Sequence, residues 1–286
     1  MREQISLHEA VAEFVHDGDL VAIEGTAHLV PFAAAHELIR QRRRDLTIAR
    51  LAPDLLLDQL VGMGCVSRVI FGWGGRPGLA QLHRLRDGLQ NGQPRQVAVE
   101  QLRQTDMASA YEAGAMHLPL AILRGHTGTI GGPSQQRIAR IRCPFTGEDV
   151  AAVRSIRPDV ALIHAQEVDR FGNVLLWGQM GVQKTAALAS RRVIVTVEEV
   201  VDDPRAWPNA YRLPACIVSA VCIVPGGAHP STVLGHYERD HGFYRAWDRT
   251  ARSAAQFRDW MERHVLATAD FAGFRRVLEQ SAQYYP

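Results

Sequence analysis

An α/β fold with a mostly parallel open sheet flanked by helices is what this sequence predicts, from three observations. Apolar runs rich in β-branched residues alternate with amphipathic segments over most of the chain. Glycine, asparagine and aspartate punctuate the boundaries. The tips that follow the apolar runs are small, polar and glycine-rich, as expected where a ligand sits outside the carboxyl ends of parallel strands.

The elements follow in order. Ser6-Leu7-His8-Glu9 is a capping box, with Ser6 as N-cap and Glu9 three residues on. Leu7, Ala10, Val11, Phe14 and Val15 then recur at helical spacing. Asp17-Gly18-Asp19 ends that helix, and LVAIE reads as a buried strand. Pro31 is suited to open the next helix, which ends in Arg42-Arg43-Arg44, a solvated basic end that complements the helix dipole. The rhythm continues as LTIARL strand, DLLLDQLVG helix, VSRVIF strand, PGLAQLHRLRDG helix, QVAVE strand, TDMASAYEAGAM helix and LPLAILR strand. Alternation of this kind predicts βαβ units. From Ile138 to Val153 the pattern changes to a hairpin turning at Thr146-Gly147. DVALIH, NVLLW, the helix VQKTAALAS, and the strands RVIVTVEEV and CIVSAVCIV follow, and the last stretch reads as helical. One domain over residues 1–286 is expected, with a core at about 5–235 and a helical C-terminal extension at about 236–286.

Composition narrows the function classes. A net charge of +2 gives no reason to expect nucleic acid or an anionic membrane as partner. Cys65, Cys143, Cys216 and Cys222 are scattered, with no C-x-x-C spacing, and are expected to be buried free thiols in a reducing compartment. The amphipathic, acid-containing N-terminus does not read as a signal peptide, and no apolar run approaches the ~18 residues a membrane span needs. A cytoplasmic protein is the expectation.

The residues at the strand tips carry the candidate chemistry. They are Glu24, Gly25, Thr26 and His28 after the first strand, then Gly72-Trp73-Gly74-Gly75, then the loop Gly125–Thr129, then His164 and Gln166, then Glu198-Glu199. GWGGRPG fails the dinucleotide fingerprint because Pro77 stands at the third glycine's place. Lys184 follows Gln183, so there is no phosphate-binding loop, and no G-x-S-x-G elbow or H-E-x-x-H helix occurs. No metal site is visible. His164 and Gln166, two residues apart, share one strand face and either line the cleft or satisfy buried backbone groups, the commoner role for such a pair. Gly172-Asn173 marks a tight turn between two strands.

The block CPFTGEDVAAVRSIRPDVALIHAQEVDRFGNVLLWG, followed by VIVTVEEVVDD and IVPGGAHPS, resembles the A subunit of the family I CoA-transferases, of the glutaconate type above all. HDGDLVAIEG, PFAAAHELIR and VSRVIF stand in the family's order, so the likeness covers nearly the whole chain. The resemblance implies the family I fold and transfer of CoA between carboxylic acids. A glutamate attacks the acyl-CoA thioester, and a glutamyl-CoA thioester follows by way of a mixed anhydride. It further implies that this glutamate belongs to a B subunit of the same fold, in an S-E-N-G or E-S-G motif that this chain lacks. The implied assembly is α₂β₂, with coenzyme A as substrate and no further cofactor.

The chain departs from that family pattern in the first loop. Glu24-Gly25-Thr26 replaces Gly-Gly-Phe, Leu29-Val30 replaces Arg-Lys before Pro31, and Pro77 replaces a serine. Losing the cationic pair weakens recognition of a second carboxylate, while Thr26, His28 and Trp73 point to a more apolar or aromatic acyl group. The substrate-binding candidates are Gly25, Thr26, His28, Trp73, Gly74 and Gly75. Glu24 is either a hydrogen-bonded structural acid or a nucleophile or general base. The last of these would suit a second reading, a CoA-transferase-fold hydrolase acting on a CoA-linked ring substrate. A third reading is a non-catalytic scaffold subunit. Glu198 and Glu199 are read as structural, and His229 as fixing a turn.

Overall fold

The structure is a computed structural model that describes residues 5–72, 81–124, 137–203, 207 and 209–282. Helix α1 (Leu7–Phe14) starts at the expected capping box. Ser6 Oγ accepts from the Glu9 N–H at 3.1 Å, and Glu9 Oε2 accepts from the Ser6 N–H at 2.8 Å. The chain then alternates through β1 (Leu20–Ile23), α2 (Phe32–Arg40), β2 (Leu46–Arg50), α3 (Leu55–Gly62), β3 (Val66–Phe71), α4 (His83–Gln90), β4 (Ala98–Gln101) and α5 (Gln104–Ala115). Strands β1 to β4 pair in parallel in chain order.

The next strand leaves this series. β5 (Leu120–Leu123) joins β6 (Ile138–Arg142) and β7 (Asp149–Arg154) in a separate antiparallel sheet ordered β5-β7-β6. The expected turn at Thr146-Gly147 closes β6 onto β7, and a connection that short permits only antiparallel pairing.

The chain then re-enters the main sheet. β8 (Val160–Asp169) lies parallel to β1 on the side away from β2. After β9 (Val174–Leu176) and α6 (Gln183–Ala189), β10 (Arg192–Val201) pairs in parallel with β8. β11 (Tyr211–Leu213) pairs antiparallel with β9, and β12 (Ala220–Ile223) pairs in parallel with β10. The first half thus grows from β1 toward β4 and the second from β8 toward β12. The order reverses between β1 and β8, which is where open α/β sheets form a crevice.

Two expectations change. The strand read at CIVSAVCIV shortens to β12, because Ile217 and Val218 donate back to Pro214 and Ala215 in successive turns. β11 has no counterpart in the sequence reading; its residues find a partner only because β9 exposes an edge. Cys65 and Cys222 are buried as expected, but Cys143 is half-buried and Cys216 exposed.

The C-terminal residues form α7 (His241–Arg252), α8 (Ala254–Met261), a π-helical turn at Glu262–Leu266 and α9 (Phe271–Ala282). Phe243, Trp247, Phe257, Trp260 and Phe274 are buried in one cluster with α2, α3 and β1–β3. Trp247 also donates to the buried Asp58 of α3 at 3.3 Å, and burial pushes that carboxyl up to about 7.

On the other face α5 lies very close to the segment that leads into β8. A Cβ at Gly114 would stand 2.0 Å from the Ile156 carbonyl oxygen, and the Ile156 N–H donates to the Ala110 carbonyl at 3.0 Å. Both sides are backbone, so neither yields cheaply. Gly114→Ala is expected to lower unfolding stability by about 3 kcal/mol in urea titration. A change within ~0.5 kcal/mol, the scatter of neutral surface substitutions, would show that the contact is soft.

Candidate functional site

The site is built around the loop that follows β1. The Glu24 N–H still donates to Leu162 of β8, at 3.4 Å, and then the chain leaves the sheet. Gly25 has φ +147, and a Cβ there would fall 2.3 Å from the Leu29 carbonyl oxygen, so only glycine fits. Ala27 and Leu29 both take left-handed conformations, at φ 61 and 54. Such residues persist where surrounding bonds over-determine them. Leu29 N–H donates to the Thr232 carbonyl at 3.1 Å, and Val30 N–H donates to Ser231 Oγ at 3.1 Å.

A buried arginine holds the loop from below. Arg50 donates to the carbonyls of Ile23 at 2.7 Å and Gly25 at 2.8 Å, and pairs with Asp54 at 2.7 Å. Both charged side chains are sealed from water. Sequence reading passed over Arg50, although an arginine inside an apolar strand pattern was a visible signal.

Glu24 sits beneath the loop and is 1% exposed. Its carboxyl accepts from the Leu51 N–H at 3.1 Å and from the Tyr111 hydroxyl at 2.9 Å. Burial pushes this carboxyl up to about 7; the Arg50 charge and the two donors pull it back only in part. Nothing in the sequence around Tyr111 marks it as a partner.

His28 is buried and accepts from the Leu234 N–H at Nε2, at 3.0 Å. Desolvation holds the imidazole down at about 4, so it is neutral at physiological pH. Its ring lies against Gly178, where a Cβ would come within 2.9 Å of it. Thr26 is partly exposed at the tip and faces the neighbouring loop at Gly181. The structure therefore gathers Glu24, Gly25, Thr26 and His28 at the carboxyl end of β1. Trp73, Gly74, Gly75 and Pro77 lie outside the described residues.

One strand over, the two signature segments of the sequence meet. His164 Nε2 donates to Glu198 Oε1 at 2.7 Å, and Nδ1 lies 2.8 Å from the Thr196 hydroxyl. The Tyr237 hydroxyl donates to Glu198 Oε1 and the Gly226 N–H to Oε2, each at 2.7 Å. Burial pushes Glu198 up, but His164, Gly226 and Tyr237 together bring it below the usual carboxylate range. A Cβ at Gly227 would come 3.0 Å from the His164 ring, so the glycine lets the backbone close over the histidine. Gln166 brackets Trp177, donating to its carbonyl at 3.0 Å and accepting from its N–H at 3.3 Å. Between the expected strands, Asp169 accepts from the Phe171 and Asn173 N–H groups, both at 2.9 Å, and Gly172 has φ 85. His229 pairs with Asp240, the N-cap of α7, at 3.2 Å.

The Glu24 carboxyl fixes a sign for pH dependence. Its folded value lies above the ordinary 4.5, at about 7. Below about pH 4.5 both states hold the proton; as pH rises, the unfolded chain loses it first, and folding stability falls until about pH 7. The full span is about 3 kcal/mol. In denaturant titrations, Glu24→Gln is expected to gain on the wild type by about that amount between pH 4.5 and 8. A constant gap across that range would mean that Glu24 is ionised throughout in the folded chain.

Known proteins share this sequence pattern and fold. The family profile described as coenzyme A transferase matches residues 4–223. The chain is 52% identical over 280 residues to the A subunit of the 3-oxoadipate CoA-transferase of Pseudomonas knackmussii, covering 98% of this chain and 99% of that one. It is 30% identical to the A subunit of the glutaconate CoA-transferase of Acidaminococcus fermentans, covering 90% and 86%. The crystal structure of glutaconate coenzyme A-transferase from the same organism superposes with a TM-score of 0.84 at 27% identity, covering 96% of this chain and 92% of that one. Family profile, relatives and fold agree: the chain belongs to the coenzyme A transferase family, among its A-subunit chains.

Proposed function

We propose that this chain is one half of a two-chain enzyme that moves CoA between an acyl-CoA and a free dicarboxylic 3-oxo acid of the 3-oxoadipate kind. The observation that carries the reading is the 52% identity, spread over 98% of the chain, to the A subunit of a 3-oxoadipate CoA-transferase.

The partner supplies the nucleophile in this reading. Glu24 and Glu198, two of the acids at the strand tips, are buried, and donors occupy their oxygens. A carboxylate attacking a thioester needs a free, ionised oxygen and donors aimed at the developing oxyanion. Glu24 has the opposite environment and acts as a positioning residue under the loop. The partner's glutamate attacks the thioester carbonyl and expels CoA thiolate, leaving a mixed anhydride. The thiolate then attacks the glutamyl carbonyl and releases the first acid, and the second acid reverses both steps. Two copies of each chain complete the proposed assembly, with CoA as substrate.

The acid class replaces the more apolar acyl group that the first loop led us to expect. Leu29 and Val30 are fully buried and bring no cation to the crevice. The distal carboxylate of the acid therefore takes its countercharge from another part of the assembled site.

The purified chain and its co-purifying partner, identified by mass spectrometry, test this directly. Alone, the chain is expected to exchange no CoA. The pair, supplied with succinyl-CoA, is expected to favour 3-oxoadipate over hexanoate by at least about 100-fold in kcat/KM, as befits a site built to meet a polar group. After acyl-CoA alone, the CoA adduct is expected on a glutamate of the partner. An adduct on this chain would overturn the division of labour, and a preference for hexanoate would overturn the acid class.

A further inference from the structure

A cavity of about 560 Å³ opens between the end of α3, the first turns of α8 and the turn that leads into β4. Clefts of this size take small organic molecules. Gly62 and Met63, which close α3 just before β3, line it together with Pro94. Strands β1 to β4 run in parallel, so the cavity lies at their amino ends, whereas the loop from Glu24 to His28 lies at the carboxyl ends. The six residues of β3 put roughly 20 Å between the two levels. The cavity is therefore separate from the crevice.

Its wall is shaped and charged. α3 ends on a glycine, although glycine weakens a helix. A Cβ at Gly62 would fall 2.4 Å from the Phe257 ring and 2.9 Å from Arg84 Cγ, so the glycine lets both side chains lie against the helix. Arg84 lines the cavity and is 6% exposed. Its Nη2 donates to Asp87 at 3.0 Å and to the Arg252 carbonyl at 3.2 Å, while Nε is sealed without a partner among the described residues. An unsatisfied buried donor is rare. A carboxylate seated on this guanidinium would supply what the protein does not. Arg258, exposed on α8, forms no ion pair with the described residues, and Glu262 is the one acid among the described lining residues. Two guanidiniums against one carboxylate favour an anion, and Met63, Pro94 and the Phe257 ring offer it an apolar wall.

We infer that this cavity is a second ligand site, for a small organic acid with an extended apolar body. The carboxylate rests on Arg84 and Arg258, and the body lies against Met63 and Phe257.

The test titrates decanoate, decanol and decylamine calorimetrically into the full-length chain carried with its co-purified partner. Decanoate is expected to bind with Kd below about 1 mM, and the alcohol and the amine at least about tenfold more weakly. Ala254→Trp fills the cavity from the half-buried first residue of α8. It is expected to weaken decanoate by about tenfold or more, with an unchanged circular dichroism spectrum and melting temperature. Arg258→Gln is expected to weaken it severalfold. Arg84→Met is expected to erase the preference for the acid over the alcohol; should that variant not fold, Ala254→Trp and Arg258→Gln still decide. Wild-type affinity in both of these would place decanoate elsewhere and overturn the site. Decylamine bound as tightly as decanoate would overturn the acid class, and absence of binding at millimolar decanoate would overturn the inference outright.

Discussion

The buried contact between His164 and Glu198 is the constraint around which the rest of the crevice is arranged. It joins neighbouring parallel strands at the level where β1 ends. An ionised carboxylate in that position must be fully hydrogen-bonded, because an unpaired buried charge costs several kcal/mol. Glu198 meets the requirement with His164, Tyr237 and the Gly226 N–H. Meeting it draws the loop after β12 over the strand tips. From that loop, the Gly227 carbonyl accepts from the first turn of α2, and Thr232 and Ser231 accept from Leu29 and Val30. One carboxylate thereby fixes the loop that follows β1, from a strand that does not touch it.

The same loop is held from the opposite side by Arg50 and Asp54. Two sealed charges at the strand end satisfy each other and the carbonyls of Ile23 and Gly25. Between these two clamps lie the left-handed residues Ala27 and Leu29, a conformation that a free loop would relax. The bonds from Thr232, Ser231 and Arg50 to this loop are what hold the two left-handed residues in place. His28, neutral and buried, serves as a strut to Leu234. Glu24 is the soft member of the arrangement: its burial leaves it poised near neutrality where Glu198 stays ionised. The difference lies in burial and in the donors: Glu24 is the more deeply desolvated, and Glu198 also receives a histidine.

The acids at the strand tips meet different environments. Glu24 and Glu198 are buried with donors on their oxygens, while Glu199, next along β10, keeps a half-exposed side chain 3.9 Å from His236. Buried strand-tip carboxylates whose oxygens already hold donors are consistent with the proposal that the nucleophile comes from a second chain.

Much of this was legible in the sequence. The capping box, the alternation of strands and helices, the D-x-x-G-N turn and the helical C-terminus depend on local backbone preferences and on periodicity, which a sequence displays directly. The paired signatures around His164 and Gly226 pointed to the family, because such residue strings are specific. The roles of individual side chains were not legible. Whether His28 faces a ligand or a backbone amide depends on Leu234, far away in the chain, and Glu24 owes its proton affinity to burial among Tyr111 and Leu51. Arg50 finds its carbonyls only once β1 lies beside β2. The departure of β5 into its own sheet and the pairing of β11 likewise depend on which strands become neighbours. Local chemistry determined the elements and the family; long-range packing alone decided burial, partners and charge state, because desolvation and hydrogen bonding belong to the assembled neighbourhood and not to any stretch of chain.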